Sequence, residues 1–168
     1  KYEAEQNGWR VDGIVVSKEG LAKALEALFQ GSRYVLEYRL QNHPEILWLS
    51  RTVLTTIRII TAWNAKGEPE LLRATIRIPS SREAILDNSC QGGISAPIDP
   101  QTGEITGPAN SWTLDYTTEF PLDSDQSILG YILPFWEDVA DSVKRGHRAA
   151  ENFNFLGWDV AISEIGVL

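Results

Sequence analysis

TTIRIITAW (residues 55–63) and ELLRATIRI (residues 70–78) are the stretches that decide the fold of this chain. Both are rich in β-branched residues, which favour strands. The segment between them, residues 64–69, contains a Lys-Gly pair suited to a turn. Two such strands separated by a short turn predict a β-hairpin, and the other segments are arranged around it.

Helical periodicity marks one segment on each side of this hairpin. KEGLAKALEALF (residues 18–29) places its leucines on one face, with Ser17 as N-cap and Gly31 just past the end. PFWEDVADSVKRGHRAA (residues 134–150) has proline in its first turn and directs its tryptophan and valines inward. Both segments are therefore predicted to be helices that flank the sheet.

The remaining segments supply shorter elements. YVLEYRL (residues 34–40) is predicted to be a strand, and the His-Pro pair opens a short helical or irregular stretch over residues 43–50. Residues 92–107 have a loop-like composition with a tight turn, and residues 158–168 have the pattern of a terminal hairpin. The whole pattern predicts an α+β fold with a mostly antiparallel sheet and flanking helices.

Composition limits the classes of function. The chain has 168 residues, of which 43% are hydrophobic, and this fits one domain with a sizeable core. A formal charge of -8 argues against a nucleic-acid or anionic-membrane partner. No apolar run approaches the ~20 residues of a membrane span, and no basic-then-apolar leader is present. The single cysteine, Cys90, suits a reducing compartment, so a cytoplasmic protein is expected.

Two arginines, Arg58 and Arg77, lie in otherwise apolar strands of the predicted hairpin. On paired antiparallel strands they can project from one face and form a bidentate clamp for phosphate or carboxylate oxygens. Arg73 faces the same way as Arg77, because four residues is an even step along a strand, and it is a rival for this role. A pair of solvent-facing positions on a half-buried sheet explains Arg58 and Arg77 at least as well.

The segment LDNSCQGGISAPID (residues 86–99) is a second candidate for function. Asp87 and Asn88 supply short oxygen ligands, while Gly92 and Gly93 allow the backbone to approach a ligand closely. The spacing lacks the lysine of a phosphate-binding loop. An Asx-turn followed by a glycine loop explains the pattern about as well.

Asp159 lies in the apolar strand GWDVAI, where an unpaired buried carboxylate would cost roughly several kcal/mol. It therefore needs a metal ion, a cation or solvent, and a solvent-facing position is the alternative. If the terminal turn is centred near Glu164 and Ile165, the residue opposite Asp159 lies roughly two places beyond Leu168.

Five segments carry a family resemblance: YVLEYRLQNHPEI (34–46), TTIRIIT (55–61), ILDNSCQGGISAPIDPQTGEI (85–105), GYILPFWEDV (130–139) and LGWDVAI (156–162). Together they resemble the C-terminal part of the ATP-grasp superfamily, and most closely the sugar-transfer-associated ATP-grasp proteins. They occur in the family's order and cover most of the chain.

The resemblance implies an ATP- and magnesium-dependent ligase, linked to polysaccharide or cell-surface glycan synthesis. Such enzymes activate a small-molecule carboxylate as an acylphosphate before a nucleophile attacks it. Residues 1–168 are then expected to be one partial domain, with the hinge strand and the C-terminal subdomain. The lysine-bearing N-terminal subdomain and a terminal Glu-x-Asn metal motif are expected outside it, and the absence of methionine agrees with a piece of a longer protein. The chain has Thr55 where the family usually has asparagine.

The resemblance also implies roles for the predicted hinge strand and for the glycine pair. Leu36, Glu37 and Tyr38 would lie in the hinge strand that meets adenine and ribose. Gly92 and Gly93 would lie near the phosphate and substrate end.

Charged and polar side chains receive roles in the same way. Arg58 and Arg77 would face the phosphates or the acylphosphate oxygens, and Asn88 would lie at the substrate end. Asp159 would be a magnesium ligand, because this hard cation takes carboxylates together with phosphate oxygens.

Two other functions stay open. One is a non-catalytic ATP-grasp-like module that binds a nucleotide, a glycan intermediate or a protein partner. The other is an unrelated acidic interaction domain in which Asp159 is merely exposed. A structure with Arg58, Arg77, Asn88 and Asp159 on different faces would exclude the predicted site.

Overall fold

The computed structural model of the chain describes residues 2–5, 8–11, 14–29, 40–81, 84, 87, 93–111, 115–122 and 124–168. The chain divides into two compact units, Lys1–Arg39 and Leu40–Leu168. The single partial ATP-grasp domain over residues 1–168 stays a prediction.

The first unit combines a small sheet with one helix. Strands β1 (Tyr2–Glu5), β2 (Gly8–Val11) and β3 (Ile14–Val16) are antiparallel in that order, and α1 (Lys18–Phe29) lies against β2 and β3. The predicted N-cap is confirmed, because the Ser17 hydroxyl oxygen accepts from the Gly20 backbone N–H at 3.2 Å. The strand predicted over residues 34–40 lies outside the described residues, apart from Leu40.

The second unit contains a six-stranded antiparallel sheet in the order β8-β7-β6-β5-β4-β9. Its strands are β4 (Thr56–Trp63), β5 (Pro69–Ile78), β6 (Ile94–Ile98), β7 (Ala109–Ser111), β8 (Thr117–Thr118) and β9 (Phe155–Val160). A short 3₁₀-helix (Pro44–Ile46) precedes the sheet, and α2 (Trp136–Ala149) precedes β9. The predicted α+β class with an antiparallel sheet is confirmed.

Strands β4 and β5 form the predicted hairpin, with Arg58 opposite Thr75 and Thr56 opposite Arg77. The turn between them contains Gly67 at φ 74°, a conformation that glycine adopts without strain. The register shifts between Ile60 and Thr61. This shift marks a β-bulge in the hairpin.

One face of this sheet is covered by α2. Ile57, Ile59 and Ile76 are almost fully buried and belong to one cluster with Val139 and Val143 of the helix. Burial of such side chains stabilises a fold by about 1.5–3 kcal/mol each. The positions between the buried isoleucines, among them Arg58 and Arg77, consequently lie on the opposite, open face.

The prediction of a loop over residues 92–107 is wrong for its first half. Ile94–Ile98 forms β6, a central strand beside β5, and only the turn after it matches the prediction. Pro97 argued against a strand, because it lacks an N–H. It is tolerated because it lies beyond the two residues that pair with β7, and its carbonyl accepts from the Thr106 N–H at 3.0 Å.

A buried polar network joins α2 to β4 and β9. The Thr61 hydroxyl oxygen accepts from the Trp158 indole N–H at 2.8 Å and lies 2.7 Å from Nδ1 of His147. The hydroxyl hydrogen is thus free to donate to Nδ1, which leaves Nε2–H of His147 to donate to the Phe153 carbonyl at 3.0 Å. These bonds satisfy the imidazole, which is completely buried.

The terminal hairpin is confirmed, with β10 (Ile162–Ser163) paired to β11 (Gly166–Val167) around a turn at residues 164–165. Its turn also holds the chain before the 3₁₀-helix, because the Glu164 carboxylate accepts from the Gln41 N–H at 2.6 Å. No helix that the structure describes is long and apolar enough to cross a membrane.

Candidate functional site

Arg58, Arg77 and Asp159 meet on the open face of the six-stranded sheet. Asp159 of β9 is directly opposite Arg58 of β4. Its Oδ2 lies 3.1 Å from Nη2 of Arg58, and its Oδ1 lies 3.1 Å from Nη1 of Arg77. These three residues are called here the Arg-Asp-Arg cluster; the sequence singled out the two arginines as a pair and Asp159 by itself.

Strand register explains why they meet. Arg77 is opposite Thr56, two residues before Arg58. The arginines are therefore diagonal neighbours, about 7–8 Å apart at their Cα atoms, which long side chains can bridge. Strand β4 lies between β5 and β9. The short Asp159 side chain therefore reaches Arg58 on the adjacent strand, whereas the longer Arg77 side chain extends across β4 to reach Asp159.

The cluster is partly open to water. The exposed fraction of the side chain is 40% for Arg58 and 47% for Asp159, but only 16% for Arg77. The Asp159 carboxylate is therefore paired with two arginines and also partly hydrated, and it is not an unpaired buried charge.

Arg73, the sequence-based rival, is separated from this cluster. It shares the open face but lies opposite Ile60, about 13 Å along β5 from Arg77. Within the part of the chain that the structure describes, it is exposed and has no ion pair. The structure thus distinguishes Arg77 from Arg73 as the partner of Asp159.

Gly157 leaves room for Arg58. A Cβ at this position of β9 would lie 3.2 Å from Nη1 of Arg58, which is a tight contact. The guanidinium therefore lies close over the glycine while its other nitrogen meets Asp159. No feature of the sequence alone indicated this role.

Asp87 anchors the candidate loop to the start of β4. Its Oδ2 accepts from the backbone N–H of Thr56 at 2.7 Å and from the Thr56 hydroxyl at 2.5 Å, and the residue is buried. Thr56 is opposite Arg77 in the register. Asp87 was predicted as a possible oxygen ligand, whereas the structure gives its carboxylate two donors from the chain itself.

A family model described as sugar-transfer associated ATP-grasp matches residues 11–168. The chain belongs to the sugar-transfer associated ATP-grasp family. A search of curated proteins and a search of solved structures both gave no significant match. The family match includes the whole Arg-Asp-Arg cluster and confirms the resemblance drawn from the five segments. It supports ATP binding of the kind that defines ATP-grasp proteins.

Other positions predicted for this ATP-grasp chain are only partly described. Gly93 is buried and lies just before β6, whose Ser95 is opposite Arg77. The remaining predicted residues lie outside the described part of the chain: Leu36, Glu37, Tyr38, Asn88 and Gly92.

The fit of magnesium to this ATP-grasp chain depends on Asp159. The described residues contain no group of three or more His, Cys, Asp or Glu side chains able to hold a metal ion. Magnesium commonly binds through one or two carboxylates together with substrate phosphates and water. Asp159 therefore does not make a stand-alone magnesium site, and an ion held there would need phosphate and water as its other ligands.

Proposed function

We propose that this chain supplies the C-terminal nucleotide- and metal-binding half of an ATP-dependent ligase that activates a small-molecule carboxylate as an acylphosphate. The observation that carries the proposal is the Arg-Asp-Arg cluster on the open face of the sheet, at 3.1 Å for both ion pairs. Membership of the sugar-transfer associated ATP-grasp family supports it.

The proposed reaction has two steps. An oxygen of the substrate carboxylate attacks the γ-phosphorus of ATP, and the bond to the bridging oxygen breaks, which gives an acylphosphate and ADP. A nucleophile then attacks the acyl carbon and inorganic phosphate leaves. Negative charge develops on phosphoryl oxygens in both steps, because the first transfers a phosphoryl group and the second releases phosphate. Preorganised cations are therefore the main catalytic requirement.

Arg58 and Arg77 are the proposed cations. Each guanidinium can give two parallel hydrogen bonds to phosphate or carboxylate oxygens. Arg77 is the more buried of the two, so its interaction with an anion is less weakened by water. Asp159 would hold magnesium, which neutralises phosphate charge when bound.

The remaining parts of the proposal concern residues near the cluster or outside the described part. Leu36, Glu37 and Tyr38 would meet adenine and ribose, and Asn88 with Gly92 and Gly93 would lie at the phosphate and substrate end. Asp87 would keep that end close to Arg77 through Thr56. We further propose a cytoplasmic role in polysaccharide or cell-surface glycan synthesis.

A non-catalytic nucleotide- or partner-binding module is the second candidate. It is favoured by one observation: both oxygens of Asp159 already contact arginines in this structure. A carboxylate used only to balance two arginines would need no metal ion.

Calorimetric titration with ATP in magnesium buffer tests the binding half of the proposal, on the protein as its gene encodes it. Arg77→Gln is expected to weaken binding about 10- to 100-fold, since hydrogen bonds to charged groups contribute about 1.5–3 kcal/mol. Arg73→Gln removes an equal charge from the same strand and face, and should stay within about twofold because surface charges act weakly at this distance.

Trapping with hydroxylamine tests the chemistry. This reagent converts an acylphosphate into a stable hydroxamate, so a panel of carboxylates with ATP should yield hydroxamate and ADP with the wild type and far less with Arg58→Gln. Binding of ATP without either product identifies the non-catalytic module. Absence of ATP binding overturns the ligase and the nucleotide-binding form of the module, and leaves only the partner-binding form.

A further inference from the structure

The anion site formed by Arg58 and Arg77 already contains an anion, which is the carboxylate of Asp159. Each carboxylate oxygen takes one guanidinium, at 3.1 Å in both cases. Phosphate oxygens make the same kind of contact with arginine, because both groups present oxygen pairs to the planar fork. The side chain of Asp159 therefore stands where an oxygen pair of an incoming anion would bind.

We propose that Asp159 competes with anionic ligands for Arg58 and Arg77, and that a divalent cation bound by Asp159 removes this competition. The arginines would then be released for phosphate or acylphosphate oxygens only when the cation is present. The nucleotide part of this inference rests on the proposed function.

The exposure of the cluster makes such an exchange inexpensive. Arg77 is only 16% exposed, but Asp159, the carboxylate common to both ion pairs, is 47% exposed and Arg58 is 40% exposed, so water reaches both pairs. Ion pairs of this kind contribute little to folding. A cation can approach the carboxylate from solvent without unfolding any part of the chain.

The backbone around the cluster is held in place during the exchange. Arg58, Arg77 and Asp159 are on three neighbouring hydrogen-bonded strands, and Asp87 fixes the start of β4 at Thr56. Only side-chain rotamers need to change, and Gly157 leaves the Arg58 guanidinium space on its β9 side. The competition is therefore a property of three side chains.

Linkage gives this proposal a sharp signature. If cation and anion each favour the separated state of the cluster, each must tighten the binding of the other by the same factor. Replacing Asp159 with asparagine should remove both the competitor and the cation ligand. The substitution should then strengthen nucleotide binding when the cation is absent and weaken it when the cation is present.

The test is calorimetric titration with ADP, which avoids turnover, first in EDTA and then in excess magnesium. In EDTA, Asp159→Asn is expected to bind ADP roughly three- to tenfold more tightly than the wild type, which corresponds to two weak ion pairs. In magnesium the same variant should bind ADP more weakly than the wild type. Asp141→Asn, an equal change of charge on the exposed side of α2, should match the wild type in both buffers.

A double substitution separates competition from simple charge repulsion. With Arg58→Gln and Arg77→Gln in place, Asp159→Asn should no longer tighten ADP binding in EDTA. If the gain persists without the arginines, or if Asp159→Asn gives no gain in EDTA, the proposal is wrong.

Inorganic pyrophosphate in EDTA distinguishes this inference from the proposed function. If Asp159→Asn tightens pyrophosphate binding although ADP never binds, the competition stands and the nucleotide function fails. If ADP binds with magnesium but Asp159→Asn leaves metal-free binding unchanged, the function stands and the competition fails. Absence of binding by both ADP and pyrophosphate overturns both.

Discussion

Gly146 of α2 lies so close to Trp158 of β9 that a Cβ added to the glycine would come within 2.6 Å of Cη2 of the indole ring. The helix therefore approaches the strand next to Asp159 at a distance that only glycine permits. The same tryptophan also donates a hydrogen bond to the Thr61 hydroxyl, and the two contacts together fix the position of β9 against β4.

Gly146→Ala should destabilise the protein. Alanine in a helix interior normally stabilises by about 0.5–1 kcal/mol relative to glycine. Overpacking against the indole costs about 1–3 kcal/mol and reverses the sign. Urea unfolding followed by tryptophan fluorescence measures the change, with exposed Asp141→Ala as control. A more stable Gly146→Ala variant would contradict the contact.

Thr61→Val should cost about 1–3 kcal/mol in the free energy of unfolding. Valine keeps the shape but leaves the Trp158 N–H and Nδ1 of His147 without the hydroxyl that serves both. Exposed Thr106→Val on the same unit is the matched control, expected to stay within about 0.5 kcal/mol. Equal midpoints for the two variants would show that the network adds no stability.

Asn42→Ala should cost roughly 2–4 kcal/mol, because this buried side chain makes bonds in both directions. Its amide donates to the Ser50 and Val53 carbonyls at 2.8 and 2.9 Å, and its oxygen accepts from the N–H and hydroxyl of Thr55.

Asn42→Asp should be at least as costly at neutral pH, since a carboxylate would place negative charge against the two carbonyls. Chemical denaturation of both variants, beside exposed Gln41→Ala, checks the order. A wild-type midpoint for Asn42→Asp would refute the assigned directions of these bonds.

Asp159→Asn should change the free energy of unfolding by less than about 1 kcal/mol, because partly hydrated ion pairs add little stability. The same variant is expected to alter ligand binding in the opposite senses described for EDTA and magnesium. Thermal unfolding at two salt concentrations measures the folding effect. A loss several times larger would show that the cluster serves the fold first.

Much of the fold follows from local pattern. The α1 helix, the β4–β5 hairpin, α2 and the terminal hairpin are visible as periodicity and turn residues, because backbone sterics and one buried face set each of them over a short stretch. The strand β6 was missed, since Pro97 has a local preference against strands that its position beyond the β7 pairing overrides.

The sequence by itself determined the α+β class, the family resemblance and the four charged residues that stand out in apolar strands, which are Arg58, Arg73, Arg77 and Asp159. Only the tertiary structure decided that Arg58 and Arg77, and not Arg73, meet Asp159. That choice depends on register across three strands, and register is a long-range property: a shift of one residue would turn each side chain to the opposite face. The roles of Gly146, Gly157 and Asp87 depend in the same way on neighbours that are distant along the chain.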